Sequence, residues 1–257
     1  MSEVVLKAEN LHYSYSKGHK VLKGITLEIH EGEKLIILGA NGSGKSTFFL
    51  NINGVLKADE GKIYYKNKLI NKSNLKELKR HVGIVFQDAD NQIIASTVRA
   101  EVGFGPINLG FNRQEVIKRV NDSLNYMGIS HLIDRPPHYL SGGEKKKVSI
   151  ADIIAMEPEI IIFDEPTAFL DPQNKYIFEE HLKKMSFENR TLVISTHDLE
   201  FAFRWADRIV VFYDGMIIAD ADPISVFTDK EVLDKANLKK PILLEICEIL
   251  KTKLILD

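Results

Sequence analysis

The stretch Lys34 to Thr47, reading KLIILGANGSGKST, constrains this chain more than any other. Leu35 to Leu38 is a continuous apolar run suited to a strand buried on both faces. It leads straight into a loop with glycine at 39, 42 and 44, after which Lys45, Ser46 and Thr47 open a helix. Glycine takes backbone conformations closed to other residues and lets an anion come close to main-chain N–H groups. The helix N-terminus adds its positive dipole end, Lys45 adds a point charge for β and γ phosphates, and the Ser46 hydroxyl can ligate Mg²⁺. Gly39 to Ser46 has the spacing G-x-x-x-x-G-K-S of a P-loop, completed by Ala40, Asn41, Gly42, Ser43 and Gly44. A chance glycine turn before a helix would match the letters alone. The strand before it and the helix after it favour the phosphate-binding reading.

A chain of 257 residues is long enough for a large α/β domain with a sizeable core. Its 34 Lys and Arg stand against 36 Asp and Glu, a formal net charge of −2, so nothing marks it as a general nucleic-acid binder. The single cysteine, Cys247, excludes an internal disulfide or a thiolate zinc cage. Its neighbours Ile246 and Leu250 suggest core filling. The N-terminus carries charges through its first ten positions, unlike a signal peptide, and no apolar run approaches the roughly 18 residues that span a bilayer. The expectation is a cytosolic chain that meets the membrane only through a partner.

Val4 to Leu11 and Val21 to Ile29 alternate on either side of the turn-rich YSYSKGHK, predicting an antiparallel hairpin. A strand pair near Lys62 to Tyr65, a polar stretch to Arg80, and a buried strand from Val82 to Phe86 follow, ending at Gln87. Asp88 to Glu157 then turns helical. Asn112 with Glu115 starts one helix and Gly128 stops it, while Leu140 to Glu144 precede another whose Val148, Ala151 and Ile154 share a face. Strands on both sides make this block an insertion into the sheet domain. Ile160 to Phe163, a crossover helix marked by Phe178, Leu182 and Met185, and Thr191 to Ser195 continue a parallel sheet. Asp214 and Gly215 turn a last hairpin, and the tail beyond Asp222 reads as helical, with Pro241 starting its final helix.

The apolar run Ile160 to Phe163 delivers Asp164 and Glu165 to the carboxyl edge of the sheet, where α/β folds bind ligands. Alone, the pair reads equally well as solvated strand-end charges. Beside a P-loop, Asp164 suits a Mg²⁺ held through water, and Glu165 suits the group that orients or deprotonates the attacking water. His197 and Gln87 follow other strands to the same edge. The seven remaining histidines, His12, His19 and His131 among them, have no such placement and read as surface residues.

In order, the chain holds the P-loop at 39–47, Gln87, LSGGE at 140–144, IIIFDE at 160–165, AFLD at 168–171 and His197. Through these motifs it resembles the ATP-binding subunit of ABC transporters, up to about residue 220. GIVFQDADNQIIASTVRAEVGFGPINLG and LSGGEKKKVSIADIIAMEP are most similar to the cobalt and energy-coupling-factor type, as is the tail from DPISVFTDKEVL onward. The resemblance implies an α/β fold with a P-loop NTPase (RecA-like) parallel-sheet core and an N-terminal antiparallel β subdomain. An inserted helical subdomain at about 88–157 would complete an ABC domain over 1–220, followed by a helical extension over 221–257.

The same resemblance implies an ATPase that uses ATP and Mg²⁺ and works at the cytoplasmic face of the membrane. Its partners would be integral membrane transporter subunits and a second ATPase, identical or paralogous, with no nucleic acid. Tyr15 would stack on adenine, unless it only covers the hairpin turn. Two subunits would close head to tail, with Ser141, Gly142 and Gly143 facing the partner's ATP and Asp171 crossing beside them. His197 would hold the γ-phosphate, and Gln87 would sense the metal alongside Ser46 and Asp164.

Glu144 stands where the signature commonly has Gln. Its S-x-x-E spacing from Ser141 predicts a capping box, with the carboxylate turned back on the Ser141 N–H. Ile93, Ile94, Phe104, Pro106, Ile107 and Leu109 offer either a docking face for membrane partners or a core for the helical block. A kinase or GTPase would not need LSGGE, and no N-K-x-D motif is present. A soluble ABC-type ATPase acting on nucleic acid or ribosomes predicts coiled-coil insertions, tandem cassettes or a basic stripe. A regulatory subunit without turnover predicts loss of Glu165 or His197.

Overall fold

A computed structural model describes residues 3–16, 18–168 and 170–254, so Lys17 of the hairpin turn and Phe169 of the AFLD motif lie outside the described residues. The chain divides into two compact units, one of Met1–Ile70 with Val193–Asp257 and one of Asn71–Leu192.

In the first unit β1 (Val4–Ser16) and β2 (His19–His30) pair antiparallel, Leu6 opposite Ile29 and Ala8 opposite Leu27. Their alternation buries Leu6, Ala8, Leu22, Ile25 and Leu27 on one face, as the sequence pattern requires. β3 (Lys34–Leu38) follows, with Leu35 to Leu38 fully buried, and leads through the glycine loop into α1 (Lys45–Ile52). β4 (Glu60–Tyr65) and β5 (Lys68–Leu69) complete an antiparallel sheet in the order β2-β1-β4-β5.

The second unit opens with α2 (Leu75–His81), a helix inside what the sequence offered only as a polar stretch. Leu78 is its one buried residue, too little for an apolar period. Charge supports it instead, with Glu77 in the first turn and Lys79, Arg80 and His81 in the last, as the helix dipole favours. Next come β6 (Val82–Val85), α3 (Val98–Asn108), α4 (Arg113–Tyr126), α5 (Gly142–Ala155), β7 (Ile160–Asp164) and α6 (Pro172–Phe187). β6 and β7 run parallel with Val85 opposite Phe163, so the chain beyond β6 and the Asp164 end of β7 leave at one edge. Asn112 caps α4 by accepting from the Glu115 N–H at 3.0 Å, as its spacing predicts.

β8 (Thr191–Ser195) carries the chain back to the first unit. There α7 (Leu199–Trp205) precedes the hairpin of β9 (Arg208–Tyr213) and β10 (Met216–Ala221), and β9 runs parallel to β3 with Val211 opposite Leu38. Parallel pairing in each unit with intervening helices is the α/β architecture expected from the sequence. The tail forms α8 (Pro223–Thr228), α9 (Lys230–Ala236) and α10 (Ile242–Leu254), α10 beginning one residue after Pro241. Phe227 anchors it, fully buried and edge-on to Phe203 at 6.0 Å.

Two expectations change. Cys247 is exposed, as are Ile246 and Leu250 beside it, because this face of α10 points away from the core that takes Leu244. Among the histidines His19 and His131 are exposed, but His12 is half-buried and shares a 3.2 Å hydrogen bond with Asn10 Oδ1.

Candidate functional site

In the first unit the glycine loop has a conformation only its own residues permit. Gly39 has φ +148°, and a Cβ there would lie 2.4 Å from the Phe212 carbonyl oxygen. The β3–β9 pairing, which seats Leu38 beside Val211, causes this close approach. Gly44, at φ +105°, ends the loop as the N-cap of α1; no side chain caps that helix and no acid stands in its first turn. Ala40, Asn41, Gly42 and Ser46 are exposed, while Ser43, Lys45 and Thr47 are buried. The loop therefore presents an open rim on a fixed floor.

Lys45 Nζ donates to the carbonyls of Gly39 at 2.7 Å and Ala40 at 3.3 Å, which brings the charge to the loop itself. His197, exposed beyond β8, donates from Nε2 to Asn41 Oδ1 at 3.1 Å. Two strand ends that the sequence separates by more than 150 residues thus meet at one loop. The Tyr15 hydroxyl shares a 3.2 Å hydrogen bond with Thr47 Oγ1, and the Tyr13 ring meets the Tyr15 ring edge-on at 5.0 Å. Tyr15 still exposes 58% of its surface, so an aromatic face is presented beside the loop.

In the second unit Gln87 is exposed just past β6, and Asp164 is the buried last residue of β7. Glu165 follows at φ +46°, a left-handed conformation that a glutamate adopts at a cost on the order of 1–3 kcal/mol. Such strain persists only where surrounding structure holds it. Lys146, on α5, is a functional candidate that sequence reasoning missed. Its Nζ donates to Phe86 O at 2.6 Å and Gln87 O at 3.1 Å. Burial pushes its pKa down to about 8, against the opposing pull of Asp164 and Asp88. The run KKK at 145–147 gave no sign of this, since lysine runs are usually solvated.

The start of α5 is a closed capping box. Ser141 Oγ accepts from the Glu144 N–H at 3.3 Å, and Glu144 Oε2 accepts from the Ser141 N–H and hydroxyl, both at 2.8 Å. These bonds to Ser141 hold the Glu144 carboxyl below the usual range. Gly142 and Ser141 are exposed and Gly143 is half-buried. A Cβ on Gly143 would lie 2.8 Å from the Asn174 amide nitrogen. Asn174 in turn donates its side-chain N–H to Asp171 Oδ2 at 2.7 Å and its backbone N–H to Oδ1 at 2.9 Å, so exposed Asp171 caps α6.

The apolar residues after Gln87 differ in burial. Ile94, Phe104 and Ile107 are exposed at 73%, 51% and 61%, whereas Pro106 is buried in α3 and Ile93 and Leu109 are half-buried. Phe104 and Leu109 border a groove of about 690 Å³ that Lys76, Lys79, Arg80 and Asp152 also line. Burial raises the Asp152 carboxyl to about 7. Among the described residues no group of three or more His, Cys, Asp or Glu is arranged to hold a metal on its own. Ser46 in the first unit offers a hydroxyl, and Gln87 and Asp164 in the second offer an amide oxygen and a carboxylate, each an oxygen donor of the kind Mg²⁺ takes.

Comparison with known proteins bears on this arrangement. The family model described as ABC transporter matches residues 22–168. The energy-coupling factor transporter ATP-binding protein EcfA of Methanocaldococcus jannaschii is 43% identical over 251 residues, covering 97% of this chain and 90% of that one. The structure of cbiO1 from Clostridium perfringens, part of the ABC transporter complex cbiONQ, is 42% identical with a TM-score of 0.79, covering 96% of this chain and 100% of that one. A dimeric bacterial ABC transporter cassette is 31% identical with a TM-score of 0.76 over 85% of this chain and 98% of the other.

Proposed function

This chain belongs to the ABC transporter ATP-binding family, and from that premise we propose how its residues share the work. It is the ATP-binding and hydrolysing subunit of an energy-coupling-factor transporter, working with integral membrane subunits and a second, identical or paralogous, ATPase. No helix among the described residues is long and apolar enough to cross a membrane, so attachment at the cytoplasmic face runs through those subunits. The cargo is cobalt, another transition metal or a vitamin. The soluble reading, an ATPase for nucleic acid or ribosomes, finds no support in a chain of net charge −2.

The observation that carries this reading is His197 hydrogen-bonded to Asn41 of the glycine loop. A kinase or GTPase has no need of a histidine seated on that loop; a cassette uses one to hold the γ-phosphate. Gly39, Ala40, Asn41, Gly42, Ser43, Gly44 and Thr47 form the phosphate cradle, Lys45 draws the β and γ phosphates, and Tyr15 supports the adenine. Ser46, Gln87 and Asp164 are the residues that would hold a Mg²⁺, which when bound would neutralise phosphate charge. Glu165 accepts the proton of the attacking water. Ser141, Gly142 and Gly143 of one subunit, on the turn that the Glu144 carboxylate caps, and Asp171 beside them face the nucleotide of its partner. The ATPase domain spans 1–220, with a helical insertion at about 88–157 and an extension over 221–257. Membrane subunits dock on exposed Ile94, Phe104 and Ile107.

Glu165→Gln tests the reaction. It should bind ATP, hydrolyse it at least ~10²-fold more slowly, and accumulate as an ATP-bound dimer on a sizing column. Unchanged turnover would move the general base elsewhere.

A further inference from the structure

The three lysines that follow the signature turn do three different things. Lys145 reaches across to the Asp90 carboxylate at 2.6 Å on the exposed side, Lys147 is half-buried, and Lys146 is 4% exposed. Among the described residues only Lys45 and Lys146 are buried lysines, and both spend their charge on main-chain carbonyls. Lys45 has a ligand to serve. Lys146 has none assigned, yet it keeps an ammonium where burial opposes it, and a methionine would fill the same space without that cost.

Its two acceptors explain why a charge is kept there. Phe86 and Gln87 are the first residues beyond β6, about 60 positions earlier in the chain, and a buried ammonium with three donors can hold both oxygens at once. Lys145 to Asp90 ties the far end of the same segment, although an exposed pair of this kind adds little. These links border a cleft of about 300 Å³ lined by Gln87, Asp88, Gly142, Lys145, Pro166 and Leu170. The segment holding Gln87, the signature turn and the chain just past Glu165 therefore share one cleft wall.

We propose that Lys146 is a positioning residue: by holding the main-chain oxygens of Phe86 and Gln87 it makes the Gln87 segment and the first turns of α5 move together. When nucleotide displaces Gln87, the signature turn Ser141 to Glu144 is carried with it. The inference rests on the ATPase reading above and adds the physical link between two of its parts.

The test uses the full-length chain and Lys146→Met. Turnover at saturating ATP should fall at least 10-fold and KM for ATP should stay within about twofold, while the melting temperature should fall only slightly, because relief of the buried ammonium and access of water beside half-buried Phe86 and exposed Gln87 offset the loss of its bonds to their two carbonyls. Lys146→Gln, which keeps a two-hydrogen donor, should recover part of the turnover. Normal turnover in Lys146→Met, or turnover lost only in step with a lowered melting temperature, overturns the proposal. Should Lys146→Met not fold, amide exchange on the wild-type chain decides: residues 87–91 and 142–147 should change protection together when ATP is added. Independent changes overturn it. A wild-type chain that neither binds nor hydrolyses ATP fails the ATPase reading itself, a result distinct from any of these.

Discussion

Two helices of this protein begin with a glycine-bearing turn, and they treat their N-termini in opposite ways. At α1 the N-cap is Gly44, no side chain caps the helix and no acid stands in its first turn. At α5 the N-cap is Ser141, and Glu144 closes a capping box around it. Each helix start leaves four N–H groups without intrahelical partners and carries the positive end of the dipole. α1 leaves that field unanswered by any side-chain cap, with the Lys45 charge at the same loop. α5 answers the field with its own carboxylate, so its turn is rigid before any nucleotide arrives. The first terminus is left open to an anion; the second is closed by its own side chains.

The comparison breaks most visibly at Lys45. Lys45→Ala should lower ATP affinity by roughly 10²-fold or more, the scale of removing one charged partner from a close pair, as measured by fluorescent-nucleotide titration. Near-normal affinity would mean that the α1 terminus alone suffices. Gly39→Ala comes next, because a Cβ 2.4 Å from the Phe212 carbonyl forces loop and β9 apart, and φ +148° resists a side chain in any case. A loss of at least ~1 kcal/mol in chemical denaturation, together with weakened ATP binding, is expected.

At α5 the effects should be smaller and should fall on stability. Glu144→Ala opens the capping box and should cost about 0.5–2 kcal/mol in denaturation without nucleotide. Because the bonds from Ser141 lower the Glu144 pKa, its contribution is present above the ordinary glutamate value of 4.5 and is lost as pH falls through the folded-state value. The deficit of Glu144→Ala should therefore vanish in strongly acidic buffer. Glu144→Gln should be nearly silent, since the amide oxygen can still accept the Ser141 N–H. A silent Glu144→Ala melt with a much tighter ATP dimer for Glu144→Gln would place the carboxylate against the partner's nucleotide instead.

Much of this was legible in the chain because it is encoded within a few residues. Leu35 to Leu38 and Ile160 to Phe163 announce buried strands by being uninterrupted apolar runs. Ser141 with Glu144, and Asn112 with Glu115, announce helix starts because the bonds they make span three residues. α2 escaped notice because a helix with a single buried side chain carries no period to read. The apolar residues after Gln87 were ambiguous for a related reason: an apolar residue on a helix looks the same in the sequence whether it is buried or exposed. Only packing separated buried Pro106 from exposed Ile107.

The motif order, the strand and helix types and the caps follow from the sequence by itself, since backbone hydrogen bonding and periodicity act over short separations. Tertiary structure alone settled which of three consecutive lysines is buried, that Cys247 faces outward, that Glu165 sits at φ +46°, and that Asn174 lies against Gly143. Each of these depends on what a residue meets from a distant part of the chain. Burial, strain and the partners of a charge are set by such meetings, and no local pattern records them.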